Sequence, residues 1–148
     1  MGLGAFESTE VINVSGNSGL SSSLLPMNSV HVENFPNSAT VSTENIDVST
    51  IDLQLMKLGI SPENVLLKLD VQGFEANVLR GAAGSLSRIP LCFLEVSILP
   101  LYEGELTLLP ILNLLQESGH EVIDIFRGVK AKDGQLLQLD ILTKLSKK

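Results

Sequence analysis

Residues 65–82, VLLKLDVQGFEANVLRGA, change their hydrophobic period midway, and this change restricts the fold more than any other segment. Residues 65–69 are a mainly apolar run of strand length that stops at a carboxylate, Asp70. Gly73 then turns the chain into a stretch in which Phe74, Val78, Ala82 and Leu86 recur every fourth residue, with Leu79 beside them. A short apolar run reads as a buried strand, and a spacing of three to four reads as an amphipathic helix. The segment therefore predicts a strand at 65–69 and a helix at 73–87. A strand that ends on an acid and enters a helix belongs to an open α/β sheet, where ligands bind beyond the carboxyl ends of the strands. Asp70 is placed where chemistry is usually done.

The second half of the chain repeats this rhythm. A strand is expected at 91–96 and a helix at 107–118, with Pro110 in its first turn and Gly119 past its end. Strands follow at 121–126 and 136–142, with Lys132-Asp133-Gly134 between them. No helical segment fits in that gap, so the two strands must form an antiparallel hairpin. The parallel units are expected to be closed by one reversed strand at the edge.

The first half is less regular. Residues 10–14 alternate like a strand, 17–19 supply turn residues, and 20–25 read as a returning strand. Residues 26–39 read as loop and 40–48 as a weak strand. Thr50 or Asp52 can cap a short helix carrying Leu53, Met56 and Leu58 and ending at Gly59. The 148 residues suffice for one domain: a hairpin and loop region at 1–47, an α/β core at 48–143 and a basic tail at 144–148.

Composition narrows the function classes. A net charge of -7 and scattered basic residues argue against nucleic acid. The single cysteine, Cys92, cannot form an internal disulfide, and with no signal-peptide pattern a cytoplasmic setting is expected. Glu95, Pro100 and Pro110 interrupt the longest apolar runs, so no membrane span is expected. His31 and His120 have no partners at metal-ligand spacing, so no metal site is expected.

The run Lys68-Leu69-Asp70-Val71-Gln72-Gly73-Phe74-Glu75, followed by Val78-Leu79 and Gly81-Ala82, closely resembles the hallmark of the FkbM family of S-adenosylmethionine-dependent methyltransferases, K-[IL]-D-V-[EQ]-G-x-E-x-x-V-L-x-G-A. Further blocks resemble the family in the same order: the serine-rich SGLSS at 18–22, VSTIDL at 48–53, Leu94-Glu95-Val96 with Pro100-Leu101-Tyr102-Glu103-Gly104, and GQLLQLDIL at 134–142. The resemblance implies a Rossmann-like class I sheet and methyl transfer from S-adenosylmethionine to a hydroxyl of a sugar or secondary metabolite. The family's glycine-rich donor turn, D-x-G-A-N-x-G, has no counterpart here. Gly2-Leu3-Gly4-Ala5-Phe6 lacks a preceding apolar strand and has Glu7 where a third glycine is needed. On the family's pattern the chain corresponds to the C-terminal portion of the domain, with the N-terminal strands missing. The strand at 65–69, central in the family, would then lack a neighbour, and self-association through it is expected. A non-catalytic fragment or binding module is the alternative. A dinucleotide-dependent enzyme is disfavoured, because no phosphate-binding glycine turn is present.

Methyl transfer requires alignment of acceptor, methyl and sulfur, and removal of the acceptor proton. Asp70 could accept that proton, orient the hydroxyl or pair with the donor's ammonium; equally, it could cap the helix that follows. Glu95 stands in the apolar run CFLEVSIL, where a carboxylate must be paired or lie at a strand end. Asp70 and Glu95 are thus the catalytic candidates, and Asp70, Gln72 and Gly73 the cofactor-binding ones. Ser21, Ser22, Glu75 and Tyr102 are the candidates for acceptor binding. Their structural alternatives are a serine turn, a helix-dipole acid and a surface loop.

Overall fold

The structure is a computed structural model that describes residues 1–126 and 128–146. In chain order the elements are β1 (Gly2–Leu3), β2 (Ser8–Ser15), α1 (Ser29–Asn34), β3 (Thr40–Ser49), α2 (Ile51–Leu58), β4 (Leu66–Leu69), α3 (Glu75–Arg80), β5 (Leu91–Ser97), α4 (Leu108–Glu117), β6 (His120–Phe126) and β7 (Gln138–Leu145). They build an α/β fold with two mixed sheets, ordered β1-β3-β2 and β4-β5-β7-β6.

In the larger sheet β4 runs parallel to β5, and β7 runs antiparallel to both β5 and β6. The hairpin of the last two strands forms as its short connection requires. The reversed strand is not at the edge, however. The crossover through α4 leaves a gap one strand wide beside β5, and β7 returns into that gap, so β6 is the outer strand. The last strand also lies later than expected, because its ladder with β5 continues to Lys144 opposite Leu91. Lys144 thus belongs to β7 and pairs with Glu121 at 3.2 Å. Lys147 and Lys148 of the basic tail lie outside the described residues.

Helices α3 and α4 cover one face of this sheet. Leu67, Leu69, Cys92, Leu94 and Ile141 pack there with Val78, Leu79, Ile111 and Leu115. Burying each of the large apolar side chains contributes about 1.5–3 kcal/mol. The opposite face is bare: Leu66, Leu91 and Phe126 are exposed, and Phe93 meets Phe126 edge-on. Among the described residues, β4 has no strand neighbour on its outer side.

The helix expected at 73–87 is shorter, although its apolar face is as read: Val78, Ala82 and Leu86 are all buried. A Cβ on Gly81 would lie 2.0 Å from the Gly4 carbonyl oxygen, so the glycine lets β1's loop cross against the helix end. Asp52 then draws the chain out of helical bonding, accepting from the Gly84 amide at 2.8 Å and from the Ser85 hydroxyl. Thr50 caps α2, accepting from Leu53 N at 3.1 Å.

The N-terminal hairpin differs from expectation. β2 pairs along its length with β3, not with residues 20–25. Residues 20–25 make one strand-like bridge to β2, Asn13 opposite Ser23, and otherwise meet it through serine side chains at Ser15. Serine and asparagine side chains here bond to nearby backbone, which favours a turn over a ladder. The segment expected as loop at 26–39 contains α1, capped by Asn28 Oδ1 accepting from His31 N at 3.1 Å. No helix among the described residues is long and apolar enough to cross a membrane.

Candidate functional site

Register places the site. Glu95 of β5 lies directly opposite Asp140 of β7. Leu69 is paired with Leu94, so Asp70, the next residue, comes level with Glu95. Side chains alternate along a strand, and Leu69 and Leu94 point into the core. Asp70, Glu95 and Asp140 therefore form one row on the bare face, beyond the carboxyl end of β4. A broad hollow at the opposite end of the sheet, about 900 Å³ and lined by Arg88, Gln116 and His120 among others, is separate from this row.

Gln72 joins the row to the loop after β5. Its Nε2 donates to Asp70 Oδ1 at 2.8 Å and to Glu95 Oε2 at 3.3 Å. Its Oε1 accepts from the Tyr102 hydroxyl at 2.9 Å. This amide orientation gives both carboxylates a donor, while the single Tyr102 O–H is shared between Gln72 Oε1 and Ser21 O. Gln72 reaches these groups from a left-handed backbone, φ 54°, uncommon for a residue with a side chain and a source of strain where it persists. Gly73 follows at φ 89°, and a Cβ there would lie 2.9 Å from the Tyr102 ring. Gly73 thus lets Tyr102 lie across the turn.

Among the described residues the carboxylates of the row are matched by a single bonded cation. Burial raises the Glu95 pKa first, with Asp70 and Asp140 adding to the rise, and the amides of Gln72 and Gln138 opposing it. Gln138 Nε2 donates to Glu95 Oε2 at 3.1 Å. Asp140 is likewise raised, by burial and then by Asp70. The one cation bonded to the row among the described residues is Lys68, 3.0 Å from Asp70 Oδ2 and largely exposed.

Asp70 does not cap the helix that follows it. The cap position of α3 is Phe74, which makes no side-chain cap bond. Glu75 Oε1 performs the equivalent service from inside the helix, accepting from Val71 N at 3.0 Å. Glu75 is 4% exposed, and burial pushes its carboxyl up to about 7. It therefore sits beneath the turn, away from the open row.

Tyr102 is not on a surface loop. It is buried, and its hydroxyl also reaches Ser21 O at 3.1 Å. Glu105 holds that loop by accepting from the amides of Leu101 and Tyr102 at 2.6 and 2.8 Å. The hydroxyls of Ser21 and Ser22 are engaged with Asn17 and Ser15, within their own turn. Ser23 is the serine that touches the site, donating to Gln72 O at 2.7 Å.

The structure thus unites Asp70, Gln72, Gly73, Glu95 and Tyr102, leaves Ser21 adjoining through its carbonyl, and sets Ser22 and Glu75 apart. Asp140, Gln138, Ser23 and Glu105 were not singled out from sequence. Gln138 and Asp140 lie within the GQLLQLDIL block, but only the β5–β7 register shows that they face Glu95. Among the described residues no group of three or more His, Cys, Asp or Glu side chains could hold a metal ion.

No curated protein and no solved structure matches the chain significantly. The model of the FkbM methyltransferase domain matches residues 1–130, a span containing Asp70, Gln72, Gly73, Glu95 and Tyr102 but ending before β7. With the hallmark residues gathered at the carboxyl end of the sheet and the match covering most of its length, the chain belongs to the FkbM methyltransferase domain family.

Proposed function

We propose that this domain serves methyl transfer from S-adenosylmethionine to a hydroxyl of a small polar acceptor, a sugar or a secondary metabolite. The observation that carries the reading is the row Asp70, Glu95 and Asp140, tied by Gln72 at the carboxyl end of the sheet. S-adenosylmethionine, when bound, supplies a methyl activated by a sulfonium. Its sulfonium and ammonium are cationic, and a carboxylate row in which burial first, and neighbouring acids second, raise the Glu95 and Asp140 pKa suits such groups. Asp70, with the Gln72 amide beside it, would hold the ammonium.

Glu95 is the residue assigned to the acceptor proton. Its raised pKa makes it a stronger base than an ordinary solvated carboxylate. Gln72 and Gln138 donate to one carboxylate oxygen, Oε2, which leaves Oε1 for an incoming hydroxyl. Tyr102, pinned between Ser21 O and Gln72 Oε1, keeps the amide turned toward the acids.

A second reading, an acceptor-binding module without transfer, is favoured by the missing glycine-rich donor turn. Backbone amides of such a turn would grip the rest of the donor, so affinity weaker than micromolar is expected. Calorimetric titration with S-adenosylmethionine, followed by an assay for S-adenosylhomocysteine released with polyhydroxylated acceptors, separates the two. Acceptor-dependent release supports transfer. Acceptor binding with no release under saturating donor refutes it in favour of the binding module.

A further inference from the structure

We infer that His31 is a positioning residue: as a neutral ring it clamps Tyr102, which sets the Gln72 amide, and protonation of His31 releases that clamp. The consequence for turnover rests on the function proposed above; the clamp itself does not.

His31 lies in α1 and is 3% exposed. Its ring centroid is 5.1 Å from that of Phe35 and 4.9 Å from that of Tyr102. The tautomer follows from the hydrogen bonds. Ser38 Oγ donates to Phe35 O at 2.6 Å, so its oxygen accepts the Nε2–H of His31 at 2.9 Å. Nδ1 is then a bare lone pair, buried and without a partner. The cluster containing Phe35 and Tyr102 is otherwise apolar, with Leu25, Met27, Val30 and Leu101.

A proton on Nδ1 would create a buried imidazolium with an N–H that has no acceptor. Among the described residues no counter-charge is turned toward it. On its own helix Glu33 is exposed, and residues 35–38 carry no ionisable group. The loop packed on the ring offers Glu103, which is exposed, and Glu105, whose carboxylate is committed to the amides of Leu101 and Tyr102. Lys130 and Lys132, flanking Ala131 of the cluster, are exposed. Burial accordingly holds the His31 pKa below its ordinary 6.5.

Expelling the ring would disturb Tyr102 directly, because α1 and the Tyr102 loop are joined. Asn28 N donates to Leu101 O at 3.0 Å, Asn28 Nδ2 to Pro100 O at 2.7 Å, and Glu103 N to Pro26 O at 2.9 Å. With Tyr102 free, Gln72 Oε1 loses its partner, and the amide is no longer held toward Asp70 and Glu95.

The chain has one tyrosine and no tryptophan, so near-ultraviolet tyrosine circular dichroism reports Tyr102 directly. The band is expected to collapse reversibly on acidification below neutral pH, while far-ultraviolet signal persists. In His31→Leu it stays constant over the same range. An unchanged collapse in His31→Leu would overturn the inference. Proton NMR of the unmodified chain gives a second test that needs no variant. The His31 ring protons should titrate below 6.5, in step with the tyrosine band, and titration at or above 6.5 would also overturn it. Loss of the band with no effect on turnover would refute the functional consequence and leave the clamp intact.

Discussion

Replacing Glu75 by Gln should abolish a loss of stability that the unmodified chain suffers between about pH 4.5 and pH 7. Glu75 lies under the Val71 amide with 4% exposure, and burial pushes its carboxyl from 4.5 to about 7. The folded state therefore holds the proton more tightly than the unfolded state. Stability from this group is fully present below pH 4.5, and is lost as pH rises through 7. The rise is worth about 3 kcal/mol at one pKa unit per 1.36 kcal/mol. Gln keeps an oxygen to accept from Val71 N but cannot ionise. Below pH 4.5 the variant and the parent should melt alike. At pH 7 and above the variant should melt about 6–12 °C higher, taking roughly 2–4 °C per kcal/mol for a chain of this size. Thermal melts of both proteins at matched ionic strength, from pH 4 to pH 8, give the difference curve. Glu95 and Asp140 are also raised and bend both curves in the same direction, so the difference isolates Glu75. A difference independent of pH would mean that the buried carboxyl is solvated or neutralised, not raised by burial.

Gly73→Ala should cost about 1–3 kcal/mol, since φ 89° is strained for a side chain and its Cβ would meet the Tyr102 ring. Urea denaturation reads the cost, and an unchanged midpoint would show that the turn relaxes. Asp70→Asn should leave the melting temperature within a few degrees, as the residue caps no helix, while reducing methyl transfer; normal turnover would limit Asp70 to holding Lys68 and Gln72. The outer edge of β4 and the bare face around Leu66 and Phe93 should drive self-association. Sedimentation velocity over a wide concentration range should show species larger than the monomer, fewer in Leu66→Lys, and a monomer at every concentration would contradict this.

The strand, acid and turn at 65–73 were legible because local period and one glycine decide them: β4 ends at Leu69 and Asp70 follows. The helix beyond was legible in its buried face but not in its length. Gly4 and Asp52, which end it, are distant in sequence and act only once the chain is folded. The pairing of β2 with β3 was hidden for the same reason, since the nearer residues 20–25 offered an equally plausible strand. At the site, Asp70 and Glu95 stood out as acids in apolar runs. Asp140 did not, because its place beside Glu95 depends on β7 entering between β5 and β6. Glu75 read as an acceptor-binding candidate or a helix-dipole acid, and nothing local indicates that its carboxylate turns back under Val71.

Methyl transfer as proposed turns on Glu95 receiving the acceptor proton within the acid row. The most direct test is single-turnover methyl transfer by Glu95→Gln with donor and acceptor saturating. Gln preserves volume and an oxygen but removes the base, so a loss of at least about a hundredfold is predicted, with melting like the parent's below about pH 4.5, where a raised carboxyl is protonated in both states. Transfer within a few-fold of the parent protein would mean that Glu95 does not take the acceptor proton.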